Sequence, residues 1–187
     1  MRALIFYGIS LMGLVTAGYF VWTVTAVRET TSGPGGVVSV VLKKVAVGQI
    51  VPDFIARDTK QSLFELSGSR KTKIVNFWAS WCGPCLLEIP SMAALARKRP
   101  NDLEVIAISC DSVEKDFLRA LSLFPDFTGS GTRIVFDPDK RLMRAYGVTG
   151  FPESFIVSPD GRLIKKIIGP LDWTNLPADF FGTMGEH

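Results

Sequence analysis

The chain has 187 residues, of which 47% are hydrophobic, and a formal net charge of +3. This length is enough for one compact domain with an appendage. The small net charge gives no sign of a large basic surface, so the composition does not support a nucleic-acid partner.

The first residues form a long uncharged segment. Residues 3–27 contain 25 consecutive residues without a charge. As a helix they would extend about 37 Å, against a hydrocarbon core of about 30 Å, so we expect residues 1–28 to be a transmembrane signal anchor in the lipid bilayer. The alternative is a cleaved signal peptide ending at the small residues 24–26, but the usual hydrophobic region of such a peptide is shorter. Residues 29–36 are rich in Gly, Ser and Thr, which predicts a flexible linker.

Residues 37–187 are expected to form one folded domain. Its first part predicts a strand at 37–42, a short strand within 47–56 and a partner strand at 62–66, the last two as a hairpin. Next come a buried strand at 74–79, a helix at about 82–98 and a strand at 103–109. Asp111 or Ser112 is the expected N-cap of the following helix. The remaining predicted elements are a strand at 133–136, a helix at 138–146 ended by Gly147, a hairpin of 154–157 with 163–168, and a closing helix at 172–181.

Two cysteines lie where the strand at 74–79 meets the following helix. Cys82 would lie in the first helical turn, where free backbone N–H groups and the helix dipole stabilise a thiolate. Cys85 would lie about one turn further along, close enough to attack a mixed disulfide formed at Cys82. The pair therefore indicates a two-step thiol–disulfide exchange.

Other roles for the pair fit less well. A zinc site would need two more ligands, and only Cys110 and the terminal His187 are available. A purely structural disulfide would close a very short loop and remove little chain entropy. We therefore expect no metal and no cofactor beyond the redox-active disulfide itself. Cys110, at the end of a buried strand, is interpreted as a small hydrophobic residue.

Residues 76–85, with the sequence NFWASWCGPC, and Pro90 after them resemble the thioredoxin superfamily, as do residues 146–157, YGVTGFPESFIV. The resemblance implies an α/β thioredoxin-like fold with a central mixed β-sheet flanked by helices and an N-terminal hairpin extension. It also implies a cis bond before Pro152, which would lie opposite the cysteines with Phe151 binding an extended substrate. Without that context a trans bond would be the expectation. The other residues expected to contact substrate are Trp81, Gly83 and Pro84.

One carboxylate points to a single branch of that superfamily. Glu88, three residues after Cys85 and on the same helix face, resembles the acidic residue of the TlpA/ResA/CcmG (DsbE) branch. Asn76 stands where thioredoxin has a buried Asp, so it cannot accept the proton of the inner thiol. The resemblance thus gives Glu88 a catalytic role at Cys85. The alternative for Glu88 is a solvated helix charge.

The resemblance implies a thiol:disulfide oxidoreductase held at a bacterial inner membrane with its domain in the periplasm. Its implied role is reduction of substrate disulfides such as that of apocytochrome c, with a membrane electron donor of the DsbD/CcdA type restoring the dithiol. The Gly83-Pro84 pair is that of thioredoxin, whose potential of about −270 mV favours a reductant over an oxidant. Two alternatives are a broad-specificity oxidase or isomerase and a Cu(I)-delivery protein.

Overall fold

The computed structural model describes residues 45–129, 131–177 and 179–181. The predicted anchor, linker and first strand at 37–42 lie outside these residues. Within the described part of the chain, no helix is both long and apolar enough to span a bilayer.

Within the described residues, seven strands and four α-helices follow one another, with a short 3-10 helix at Leu66–Gly68. They are β1 (Ile55–Arg57), β2 (Leu63–Glu65), β3 (Thr72–Trp78), α1 (Gly83–Lys98), β4 (Leu103–Ser109), α2 (Glu114–Ser122), α3 (Pro125–Gly129), β5 (Arg133–Phe136), α4 (Arg141–Ala145), β6 (Glu153–Val157) and β7 (Leu163–Ile168). Five strands form the central sheet in the order β5-β4-β3-β6-β7, and β1 pairs with β2 in a separate antiparallel ribbon. Because β3, β4 and β5 are mutually parallel while β6 and β7 are antiparallel to their neighbours, the sheet is mixed.

The middle strand β3 separates two hydrophobic cores. All seven of its residues are buried, since β4 and β6 flank it and both of its faces are covered. Side chains alternate between the faces, so Ile74 and Trp78 join the core that contains the buried residues of α1 and α2. Val75 and Phe77 join the core beneath the β1–β2 ribbon and α4. The predicted strand at 74–79 is therefore correct in position and shifted by one or two residues.

Helix α1 buries one stripe against the first core. Its buried residues include Cys85, Ile89, Met92 and Ala96, a spacing of three to four residues that keeps them on one face. Pro90 lies inside the helix without ending it. The helix therefore presents its N-terminus, with both cysteines, at the end of β3.

Helix α4 is shorter than the pattern at 138–146 predicts. It begins only at Arg141, because the preceding Lys140 has a left-handed backbone with φ of 55°. The buried carboxylate of Asp137 accepts hydrogen bonds from the N–H groups of Arg141 and Met143, which the helix leaves unpaired. The helix ends as predicted, with Gly147 at a positive φ of 65°.

The closing helix predicted at 172–181 is wrong for the described residues, which form turns there. Asp172 accepts hydrogen bonds from both the backbone N–H and the hydroxyl of Thr174, a local turn that competes with helix formation. Trp173 packs into the first core with its side chain fully buried. The segment is therefore held by contacts with the sheet and α1 rather than by its own helical hydrogen bonds.

Candidate active site

The two predicted redox cysteines form a disulfide at the N-terminus of α1. Cys82 is the N-cap residue, and its Sγ accepts a hydrogen bond from the backbone N–H of Cys85 at 3.2 Å. Cys85 lies inside the helix with no exposed surface, whereas Cys82 retains 6% exposure. This N–H and the positive end of the helix dipole at Cys82 favour a thiolate at that sulfur.

The loop from β3 to α1 gives Cys82 its surroundings. The Cys82 N–H donates to the Ala79 carbonyl, closing a tight turn. Trp81 is 70% exposed beside the disulfide, and its ring meets the ring of Phe151 edge-on, with centroids 5.6 Å apart. The two aromatic rings therefore form an open apolar surface next to Cys82.

The peptide bond between Phe151 and Pro152 is cis, as the resemblance implied. Phe151 is half-buried and packs against both hydrophobic cores, while Pro152 is buried immediately before β6. The contact between the rings of Phe151 and Trp81 brings this loop to the cysteines. Residues that are 70 positions apart in the chain thus meet at one site.

Glu88 lies beneath the cysteines rather than in solvent. Only 4% of it is exposed, so the alternative of a solvated helix charge is wrong. Its Oε1 accepts a hydrogen bond from Asn76 Nδ2 at 2.8 Å, and its Oε2 accepts one from the backbone N–H of Leu171 at 3.1 Å. Burial raises the pKa of Glu88 above its ordinary value, because loss of hydration outweighs the hydrogen bonds that favour the charged form.

Asn76 connects Glu88 to the neighbouring strand β6. Its amide also donates to the Ser154 hydroxyl at 2.9 Å, so both N–H groups of the amide have acceptors. The indole of Trp173 is a weaker partner of the Glu88 carboxylate, since its Nε1 has no hydrogen bond of normal geometry. Glu88 is consequently the one carboxylate on the buried face of α1.

A second buried carboxylate was not found by the sequence analysis. Glu153 directly follows Pro152 and has no exposed surface. Its Oε2 accepts a hydrogen bond from the Thr149 N–H at 3.2 Å, and its Oε1 forms an ion pair with Lys166 on β7. The carboxylate therefore ties the loop before the cis bond to the edge strand. The only sequence signal was its position directly before the strand predicted at 154–157, which in the structure begins at Glu153.

Asp111 has a different role from the predicted helix cap. Helix α2 begins at Glu114, and its N-cap is Val113, which makes no side-chain capping bond. The Asp111 carboxylate instead accepts hydrogen bonds from Ser80, in the loop that carries Cys82. The prediction of a cap considered only neighbouring residues in the sequence. In the structure the Asp111 carboxylate, after the end of β4, accepts its hydrogen bonds from Ser80, after the end of β3.

Comparisons with known proteins agree with this geometry. Residues 47–166 match the model of the AhpC/TSA family. The chain belongs to that family. It is 33% identical over 133 residues to the thiol-disulfide oxidoreductase ResA of a Bacillus cereus strain, covering 68% of this chain and 72% of the relative. It is 34% identical over 101 residues to the thiol:disulfide interchange protein HelX of Rhodobacter capsulatus, covering 54% of each chain.

Solved structures show the same architecture. A structure described as the thiol:disulfide interchange protein DsbE of Chlorobium tepidum has a TM-score of 0.62 and 28% identity, covering 68% of this chain and 89% of its own. StoA of Bacillus subtilis has a TM-score of 0.55 at 23% identity, which shows likeness of fold, and the match covers 65% of this chain and 90% of that one. The resemblance to the thioredoxin-like ResA and DsbE branch is confirmed. This AhpC/TSA family member is a thiol-disulfide oxidoreductase.

The thiols of the site are those of Cys82 and Cys85. Among the described residues, no three His, Cys, Asp or Glu side chains lie close enough together to hold a metal ion. The third cysteine, Cys110, is buried at the end of β4, where burial and the nearby carboxylate of Asp137 raise its thiol pKa far above the ordinary value. Such a thiol stays protonated and unreactive at neutral pH.

Proposed function

We propose that this oxidoreductase reduces disulfides of proteins outside the bacterial cytoplasm, with apocytochrome c as a client during cytochrome c maturation. The observation that carries the thiol-exchange role is the arrangement at α1. Cys82 lies at the helix N-terminus with a backbone N–H directed to its sulfur, while Cys85 is fully buried one turn away. A Gly-Pro pair separates them, as in thioredoxin, whose low potential of about −270 mV makes the dithiol a donor of electrons.

The proposed reaction has two steps. The Cys82 thiolate attacks one sulfur of the substrate disulfide, which forms a mixed disulfide and releases the other substrate sulfur as a thiolate. Cys85, after losing its proton, attacks the Cys82 sulfur, which forms the Cys82–Cys85 disulfide and releases the second substrate thiolate. Two electrons pass from the cysteine pair to the substrate, and the substrate thiolates take up protons from water. A dithiol donor, for which we propose a membrane protein of the DsbD/CcdA type, must then reduce the pair again.

Glu88 is the proposed acceptor of the Cys85 proton. It follows Cys85 by three residues on the buried face of the same helix. Because burial raises its pKa, the group is a better base near neutral pH than an exposed carboxylate. Asn76 and the Leu171 N–H hold the carboxylate in place.

The substrate is proposed to lie between Trp81 and the loop at Phe151. Gly83 and Pro84 are exposed at the top of α1, so a chain crossing Cys82 would contact them. The backbone of Phe151, followed by the cis bond, offers polar groups to an extended peptide next to the aromatic pair. Backbone pairing of this kind tolerates different client sequences.

The cellular setting is also a proposal. The uncharged residues 3–27 support a single-pass anchor, and the relationship to ResA and HelX supports thiol exchange as the task. An oxidising compartment makes a tethered reductant useful only for clients whose cysteines must stay reduced, such as the haem-binding cysteines of apocytochrome c. We therefore place the domain on the periplasmic side of the inner membrane.

Trapping of the mixed disulfide tests the client. In a Cys85→Ser variant of the full chain, the intermediate at Cys82 cannot be resolved and accumulates. Mass spectrometry of the trapped species from the native membrane should identify a c-type apocytochrome through its haem-binding cysteines. The matched control is the Cys82→Ser, Cys85→Ser double variant, which should trap nothing. Recovery of many unrelated proteins instead would favour a broad-specificity oxidase or isomerase and contradict the dedicated role.

A further inference from the structure

The loop between β3 and α1 is fixed by one carboxylate from the end of β4. Asp111 is 2% exposed and lies two residues after the last residue of that strand. The backbone N–H of Ser80 donates to both carboxylate oxygens at 3.0 and 3.1 Å, and the Ser80 hydroxyl donates to Oδ1 at 2.7 Å. One residue of the loop therefore gives both of its donors to a single buried anion.

The anion is itself held in a defined position. The Ser109 hydroxyl donates to Asp111 Oδ2 at 2.7 Å, and the Asp111 N–H donates to the Ser109 hydroxyl at 3.3 Å. Cys110, between them, donates its N–H to the carbonyl of Trp78 at 2.8 Å and so continues the pairing of β3 with β4. The carboxylate is thus attached to the rigid sheet on one side and to the loop on the other.

This connection acts close to the attacking sulfur. Ser80 precedes Cys82 by two residues, and the Cys82 N–H closes the turn onto Ala79. Trp81, between Ser80 and Cys82, forms the aromatic contact with Phe151. A shift of Ser80 would therefore move both the sulfur and the apolar surface beside it.

We propose that Asp111 is a positioning residue for thiol exchange, which fixes the Ser80–Cys82 turn and places a negative charge against Ser80, two residues before the attacking Cys82. This inference rests on Cys82 as the attacking thiol, and it is independent of which client is reduced. The hydrogen bonds to Ser80 involve neither cysteine sulfur and are made while the disulfide is formed, so the turn is held in place before the pair is reduced.

The negative charge of Asp111 opposes the stabilisation of a Cys82 thiolate by the N-terminus of α1. The N-terminus of α1 stabilises a thiolate at Cys82, whereas a buried carboxylate nearby destabilises it. At the adjacent Cys110, burial is the largest cause of a raised thiol pKa. The carboxylates of Asp137 and Asp111 raise this pKa further, and the ammonium group of Lys140 lowers it. Glu88 lies within the buried face of α1 and contributes a further negative charge when ionised. A less stable thiolate makes the dithiol give up its electrons more readily, so Asp111 favours the reductant.

The test compares Asp111→Asn with Asp116→Asn. Both changes remove one negative charge, but Asp116 is exposed in the first turn of α2 and has no part in the loop. In the reduced full chain, Asp111→Asn should move the midpoint of Cys82 alkylation to lower pH, since the thiolate loses a repulsive neighbour. In a glutathione buffer of fixed composition, the ratio of reduced to oxidised protein should rise about threefold or more. Asp116→Asn should match the unchanged chain in both measurements.

A second variant separates geometry from charge. Ser80→Ala keeps the carboxylate and removes only the hydroxyl donor, so it should slow reduction of a peptide disulfide severalfold while alkylation of Cys82 by iodoacetamide stays nearly constant. The proposal is overturned if Asp111→Asn matches Asp116→Asn, or, should Asp111→Asn fail to fold, if Ser80→Ala leaves peptide reduction unchanged. Labelling of Cys85 before Cys82 in the unchanged chain would instead contradict the proposed reaction order.

Discussion

The N-terminus of α1 and the end of β4 each carry a buried cysteine, yet their chemistry differs. Cys82 is 6% exposed and Cys110 is 1% exposed, so burial alone does not distinguish them. A backbone N–H donates to the sulfur of Cys82, whereas desolvation and then the neighbouring carboxylates raise the thiol pKa of Cys110. From this comparison we expect the local electric field, set by a helix end or by a strand end, to distinguish the reactivity of the two thiols.

The largest expected effect is on the rate of disulfide reduction, and it should distinguish Cys82 from Cys110. Cys82→Ser should lower the rate of disulfide reduction by at least about a thousandfold, because the attacking thiolate is lost and the remaining Cys85 is fully buried. The measurement is reduction of insulin or a peptide disulfide under multiple turnover. Cys110→Ser provides the control and should keep more than about half of the rate. A strong loss of activity in the Cys110 variant would contradict the comparison.

A smaller effect is expected at Glu88. Glu88→Gln should slow the release of substrate about ten- to a hundredfold, because Cys85 loses the group that accepts its proton. Single-turnover kinetics should show the mixed disulfide forming at a near-normal rate and decaying slowly. The pH dependence of decay should disappear in the variant. Identical profiles in the two proteins would mean that Glu88 only connects α1 to the segment at Leu171.

The raised pKa of Glu88 also predicts how the free energy of unfolding changes with pH. The folded protein holds the Glu88 proton more tightly than the unfolded chain, whose ordinary value is 4.5. This contribution to stability is therefore fully present below that value and is lost as the pH rises through the higher folded-state pKa. Urea unfolding at several pH values should show that loss in the unchanged protein and not in Glu88→Gln. A stability that rises with pH only in the unchanged chain would contradict the assigned direction.

The aromatic surface beside Cys82 should give the next smaller effect. Trp81→Ala removes the exposed ring beside Cys82, and the loss of an aromatic contact with the substrate, worth about 0.5–1.5 kcal/mol, should raise KM for a peptide disulfide about two- to tenfold. Alkylation of Cys82 by a small reagent should change less, because it needs no peptide surface. Leu123→Ala, another exposed apolar side chain, is the matched control. Equal effects on peptide and reagent would show that Trp81 acts on the thiol itself.

The smallest effect concerns Cys110 as a packing residue. Cys110→Ala removes one buried sulfur at the end of β4, so we expect a loss of about 1 kcal/mol in the free energy of unfolding. Denaturant unfolding with the disulfide intact measures this value. The pH profile of Cys82 alkylation should not change. A shifted profile would show that the two cysteines are coupled through the loop.

Local patterns in the sequence were sufficient to predict most strands of the central sheet. The predicted strands at 103–109, 133–136 and 163–168 have the observed bounds, because continuous apolar runs between turn residues have few other ways to become buried. The helix predicted at 172–181 failed, since Asp172 and Pro177 favour turns and the backbone of Trp173 pairs with the Ser91 hydroxyl instead. There, contacts with α1 replaced the local hydrogen bonds that the pattern assumed.

The sequence by itself determined the redox chemistry. Two cysteines separated by two residues after a predicted buried strand indicated a helix N-terminus, and the structure has them there, with Cys85 the more deeply buried of the two. Only the tertiary structure decided which polar groups surround the site. Ser154 on β6 bonds to Asn76, which in turn bonds to Glu88, and Asp111 reaches the loop that carries Cys82 from the end of β4. Hydrogen-bond partners of buried carboxylates depend on which strands lie side by side, and no local pattern specifies that pairing.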